Sequence, residues 1–231
     1  MKYQNLTIIG TSHIAKQSLD DVKKAIEEDK PNIIALELDA KRLNALFSEK
    51  KDKISIYNIR RIGFKGFVFS LIGTWAEKKL GNLVGVAPGS EMKIAIKLAK
   101  ENKIKIMLID QDIEITLRRL SKSITWKEKW NFFVDIIKAL FSGKKEVEFD
   151  LTKVPEKKLI KKIVGKVRKR YPNIYKVLIE ERNIFMANKL KNIINTNQNY
   201  KILAIVGAGH EEDILNLIRS RDISYSFTVS H

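Results

Sequence analysis

Leu6-Thr7-Ile8-Ile9-Gly10-Thr11-Ser12-His13, near the start of the chain, has a counterpart near its end, Ile202-Leu203-Ala204-Ile205-Val206-Gly207-Ala208-Gly209-His210. Each is a short aliphatic run leading directly into Gly-x-x-His. Runs of this length without polar alternation suit strands covered on both faces, as in parallel sheets. Two more such runs, Ile33–Leu36 and Ile104–Ile109, lie between them. Amphipathic stretches separate the four. Ser18 with Asp21 reads as a capping box opening a helix to about Asp29, and Ser90 as the cap of a helix through Leu98 and Ala99. The alternation predicts an α/β fold: a mainly parallel central sheet flanked by helices, with an inserted basic helical region. A last short strand is expected at Ser224–Val229.

The chain has 231 residues, which suits a single α/β domain over 1–231 with helical insertions at about 60–80 and 121–172. With no Cys, disulfides, thiolate catalysis, Cys-type zinc sites and iron–sulfur clusters are excluded. The apolar run at Leu6–Ile9 is too short for a signal peptide, and the longest uncharged stretches, Gly66–Ala76 and Gly81–Ser90, reach about half the ~20 residues a spanning helix needs. A cytoplasmic protein is expected, with peripheral membrane association through the basic region.

That region carries most of the charge. The chain has a formal net charge of +17, and Arg118 to Lys176 contributes +12 of it. Trp126, Trp130, Phe133, Ile137, Leu140 and Phe141 form an apolar stripe there, and Leu159, Ile160, Ile163, Val167 and Tyr171 another. Aromatics beside Lys on amphipathic helices fit an anionic membrane surface; the alternatives are a solvated Lys-rich face over core aromatics or a homodimer interface. Nucleic acid ranks lower, because no nucleic-acid-binding motif appears. The segment Ile62–Trp75, apolar with Gly at 63, 66 and 73, reads as a helix or a hydrophobic arm.

In a parallel sheet the carboxyl ends of the strands lie along one edge, and ligands bind there. Two runs end in His13 and His210; the others end in Glu37 with Asp39 and in Asp110 with Asp112. His with Asp or Glu suits zinc, manganese, cobalt or iron(II). A single His after a strand is more often structural, and Gly207-Ala208-Gly209 also reads as a turn needing unusual backbone angles. A dinucleotide fingerprint is a poor alternative, because the third glycine is absent and His210-Glu211-Glu212 follows instead. Along a helix from about Asn173 to Ile194, spacing puts Glu181 and Arg182 on the face of Ile174, Val177, Leu178 and Phe185, so these charges point inward, as a clamp or toward a site. Glu91 poses the same question at a helix start.

Gly-Thr-Ser-His, Ala35-Leu36-Glu37-Leu38-Asp39, Gly89-Ser90-Glu91-Met92, Asp110-Gln111-Asp112 with Thr116-Leu117-Arg118, Glu181-Arg182-Asn183 with Met186-Ala187, and Gly-Ala-Gly-His, in this order, resemble the TraB family. That family includes the pheromone-shutdown protein PrgY and is related to the Tiki proteases. The resemblance implies a divalent-metal-dependent hydrolase, a peptidase acting on peptides or proteins with Mn, Co or Zn. By it, His13 and His210 hold the metal, Glu37 is a ligand or a catalytic acid, Glu181 is the general base and Arg182 stabilises an oxyanion or grips a carboxylate. Glu91, Asp110 and Arg118 support them. The wider superfamily also holds a haem-binding lipoprotein and erythromycin esterases, so a non-catalytic peptide- or haem-binding protein of the same fold is the alternative. Members from archaea and bacteria commonly continue into membrane helices, so the resemblance implies either a soluble or a shortened member.

Overall fold

The computed structural model describes residues 1–11, 16–48, 89–141 and 157–220. Five strands form one sheet: β1 (Lys2–Tyr3), β2 (Leu6–Thr11), β3 (Ile33–Leu36), β4 (Lys105–Leu108) and β5 (Ile202–Gly207), in the order β1-β2-β5-β3-β4. The β2–β5, β5–β3 and β3–β4 pairs are parallel, and β1 is an antiparallel edge that the sequence pattern did not anticipate. The last strand in sequence is thus central, and all six of its residues are buried.

Alternation along β5 builds both halves of the core. Ile202, Ala204 and Val206 join one apolar cluster with Met186, Leu190, Ile214 and Ile218, while Leu203 and Ile205 join the other with Val22, Ile26, Met92 and Ile96. The helices over the first cluster are α8 (Glu181–Thr196) and α9 (Glu211–Arg219); those over the second are α1 (Lys16–Asp29) and α3 (Ser90–Glu101). A parallel sheet covered on both faces is the architecture its aliphatic runs require. Truncating a fully buried β5 residue such as Ile205 to Ala costs roughly 2–5 kcal/mol.

Around this core lie α2 (Ala40–Phe47), α4 (Ile113–Ser123), α5 (Trp126–Phe141), α6 (Lys157–Arg170) and the single turn α7 (Pro172–Tyr175). The basic 121–172 region is therefore helical where described, with 142–156 outside the described residues. The expected insertion at 60–80 and strand at Ser224–Val229 also lie outside them. Two expected caps are corrected. Ser18 lies inside α1, buried, and α3 is entered through Gly89, at φ 78°, with Ser90 as its first residue. A Cβ at Gly89 would also come within 2.7 Å of Leu46 Cδ2, so glycine is required twice over.

The helix expected from Asn173 to Ile194 is interrupted by a π-helical turn at Lys176–Glu180. Such a turn inserts one residue and advances the buried face by one position. The face of α8 that enters the core is Asn183, Met186, Ala187, Leu190 and Ile194; Phe185 is only half-buried. Among the described residues, no helix is long and apolar enough to cross a membrane.

Candidate functional site

The β2–β5 register pairs Gly10 with Val206 and Thr11 with Gly207, and the Ala208 N–H donates to Thr11 O at 2.8 Å. Thr11 and Gly207 therefore stand side by side at the carboxyl edge of the sheet. His13 lies outside the described residues. A Cβ at Gly10 would stand 2.9 Å from Glu211 Oε2 and 3.0 Å from Ala208 Cα, so the first glycine is needed for this close approach. Neither Gly207 nor Gly209 has positive φ, so the unusual angles considered for that turn are not its reason.

The carboxylates after β3 and β4 divide their work by position. The second of each pair caps a helix: Asp39 accepts from the N–H of Lys41 and Arg42 at 2.8 and 3.0 Å, and Asp112 from the N–H of Glu114 at 2.8 Å. The first of each pair stays at the sheet edge and is buried. Glu37 Oε2 accepts from the Gly207 N–H at 2.5 Å, across the strand gap. Asp110, its side chain fully buried, accepts from Arg182 Nη2 at 2.6 Å, Arg182 Nε at 3.1 Å and Arg42 Nη2 at 2.5 Å. Burial works to raise the Asp110 pKa, but the charges and hydrogen bonds of Arg182 and Arg42 outweigh it and hold the group at about 2.

Arg182 is the hub. Besides Asp110, it donates to Glu37 Oε1, to Leu178 O at 3.2 Å and toward His210 Nε2 at 3.4 Å. These contacts engage all of the roughly five N–H donors a guanidinium has. Burial disfavours its charge, but Glu37 and Asp110 raise its pKa above the ordinary value.

His210 Nδ1 lies 2.5 Å from Asn183 Oδ1, and the Asn183 amide donates to Asp213 Oδ2 at 3.3 Å. That second bond fixes the amide so that its oxygen faces the ring, which places a proton on Nδ1 by assignment from the network. Nε2 then presents a lone pair toward Arg182 and Glu37 Oε1, the latter 3.5 Å away. This spacing is near that of two donors each about 2.1 Å from one tetrahedral ion. Among the described residues, no group of three His, Asp or Glu is placed to hold a metal. The described donors thus offer two positions for an ion, and an ion there would share Glu37 Oε1 with Arg182.

Glu37, Asp110, Arg182 and His210 are therefore brought together, at the foot of a cleft of about 760 Å³ that Glu37, Arg182 and His210 line. Leu38, Leu46, Met92, Ile113 and Leu178 give it apolar walls. Glu181 does not line the cleft. Both its oxygens accept from Arg119, at 2.6 Å each, because Val177 and Glu181 face α4 while Arg182 faces the sheet edge. Arg118 is exposed on α4, one position from the arginine that reaches α8, and Glu91 is buried in the first turn of α3. Sequence reasoning missed the roles of Arg42 and Asn183; Asn183 stands beside Arg182, but nothing local links it to a histidine one strand away.

A family model for TraB/PrgY/gumN matches residues 2–225. An uncharacterized protein of Methanocaldococcus jannaschii is 38% identical over 224 residues, covering 93% of this chain and 53% of that protein. TraB domain-containing proteins of Mus musculus and Bos taurus are 20% and 22% identical over 195 residues, covering 80% of this chain and 51% of theirs. The chain spans about half the length of these relatives. The ordered motifs, the paired strand ends and a match over nearly the whole sequence agree, and the chain belongs to the TraB/PrgY/gumN family.

Proposed function

We propose that this chain is a metal-dependent hydrolase acting on peptides or proteins, with its reaction centre at the β2–β5 edge. The observation that carries the reading is the parallel register that opposes Thr11 and Gly207, two positions before His13 and three before His210. His13, His210 and Glu37 would hold a divalent Mn, Co or Zn ion, which when bound supplies Lewis-acid activation of water. Asn183 holds His210 by Nδ1 and leaves Nε2 to act as a donor, a pairing that fixes ring orientation and raises basicity. Gly207 anchors Glu37 Oε2, while Oε1 accepts from Arg182 and lies 3.5 Å from His210 Nε2. Arg182 bridges Glu37 and Asp110, and Arg42 supplies the second positive charge on Asp110, which makes burial of both carboxylates tolerable. With its donors engaged, it is a positioning residue here. Glu181, held by Arg119, anchors α8 and moves no proton in this reading. Apolar walls exclude water around a bound peptide.

The test is peptide cleavage by the purified chain with Mn, Co or Zn and after chelation, alongside elemental analysis. Turnover that needs metal, and loss of both turnover and metal in His210→Ala, is expected. Glu37→Gln separates ligand from proton acceptor, because the amide keeps a donor oxygen but takes no proton: retained metal with lost turnover marks the acceptor. No bound metal and no cleavage under any condition contradicts the proposal.

A second reading, a peptide- or haem-sequestering protein, draws on one observation: the Arg182 cluster is internally complete without a substrate. A Soret band in the purified protein, with no transition metal bound elsewhere, would favour it.

A further inference from the structure

Three aromatic residues in the first half of α5 point outward. Trp126 is 82% exposed, Trp130 66% and Phe133 53%. At 3.6 residues per turn these three fall within about 60° of arc. The opposite side of the same helix is engaged: Glu128 accepts from the Asn173 N–H at 2.7 Å, Asn131 donates to Arg170 O at 3.2 Å, and Asp135 pairs with Arg170 at 2.5 Å. Among the described residues, the polar side chains Glu128, Asn131 and Asp135 make these inward contacts while Trp126, Trp130 and Phe133 lie outward, a partial reversal of an ordinary surface helix.

The surroundings are cationic. Lys129 Nζ sits 3.9 Å over the Trp126 ring, Lys127 is exposed on the other flank, and α6, docked by its C-terminal end against α5, has no acidic residue. Two copies meeting through such a face would bring lysines against lysines, which argues against self-association. We propose that α5 lies in the headgroup layer of an anionic lipid bilayer, with Trp126, Trp130 and Phe133 buried in the acyl boundary and the lysines on the lipid phosphates. Membrane attachment of this kind is independent of the cleft.

The full chain is tested by co-sedimentation with phosphatidylcholine vesicles, with and without roughly one-third phosphatidylglycerol, at low salt and at about 0.5 M salt. Binding to the anionic vesicles only, a blue shift of tryptophan emission, and release at high salt are expected. Trp126→Ser with Trp130→Ser should weaken binding at least about tenfold while the melting temperature stays unchanged. Should the pair melt lower, Trp126→Ser alone, at the most exposed position, gives the same reading. No sedimentation with anionic vesicles at low salt, or binding indifferent to these substitutions, overturns the proposal. So does loss, in these variants, of single-stranded oligonucleotide binding or of a concentration-dependent dimer, where vesicles do not bind.

Discussion

The sheet edge and α5 invert the usual partition in opposite ways. At the edge, the carboxylates Glu37 and Asp110 are buried against the half-buried Arg182; on α5, Trp126, Trp130 and Phe133 are aromatic and exposed. Burying charge is tolerable only when partners neutralise it inside the protein, and here each carboxylate meets a guanidinium. Exposing aromatic surface can be offset only from outside. The first region is therefore energetically closed and sensitive to loss of a member, whereas the second is open, and its residues are nearly irrelevant to folding.

The largest effect that could break this contrast is at the hub. Arg182→Met leaves Glu37 buried without its guanidinium and Asp110 with Arg42 alone, and a loss of roughly 3–5 kcal/mol in denaturant unfolding at neutral pH is expected. A change under about 1 kcal/mol at pH 7 would mean that the cluster contributes little.

Acid titration sharpens the same point. The folded-state pKa of Asp110 is lowered, from an ordinary 3.8 to about 2, so its contribution is present above the unfolded value and is lost as pH falls through the folded one. Stability should decline by on the order of 2 kcal/mol between about pH 4 and pH 2. Asp110→Asn should flatten that decline; an unchanged acid limb would place the sensitivity elsewhere.

Asn183→Leu comes next. Loss of the acceptor for the His210 Nδ1–H should cost about 1–3 kcal/mol in unfolding. If the ring is a metal ligand, the same change should weaken metal affinity ~10–100-fold, read by competition with a chelator. Equal affinity in the two proteins would separate His210 from the metal. The smallest effect is on the open side, where Trp126→Ser should leave unfolding within ~0.5 kcal/mol.

The strands were legible because aliphatic runs covered on both faces have few other interpretations, and parallel pairing then delivers His210, Glu37 and Asp110 to one edge. Strand order was not legible: that β5 inserts between β2 and β3 depends on packing across the whole chain. Partner choice was hidden for the same reason, since Arg119 rather than Arg118 meets Glu181, and Arg42 meets Asp110 from a helix far off in sequence. The phase of α8 was missed because the π-helical turn adds a residue that a 3.6-residue period does not contain. On α5 the stripe was visible in the sequence, but a periodicity shows that a face exists, not whether it turns inward.

Everything proposed for the cleft rests on His13 joining His210 beside Glu37. The most direct measurement is a crystal structure after soaking with Mn, Co or Zn. The account predicts one ion bound by an imidazole nitrogen of His13, by His210 Nε2 and by Glu37 Oε1, at about 2.0–2.2 Å. Two imidazoles more than about 10 Å apart, or an ion bound without either of them, would contradict it.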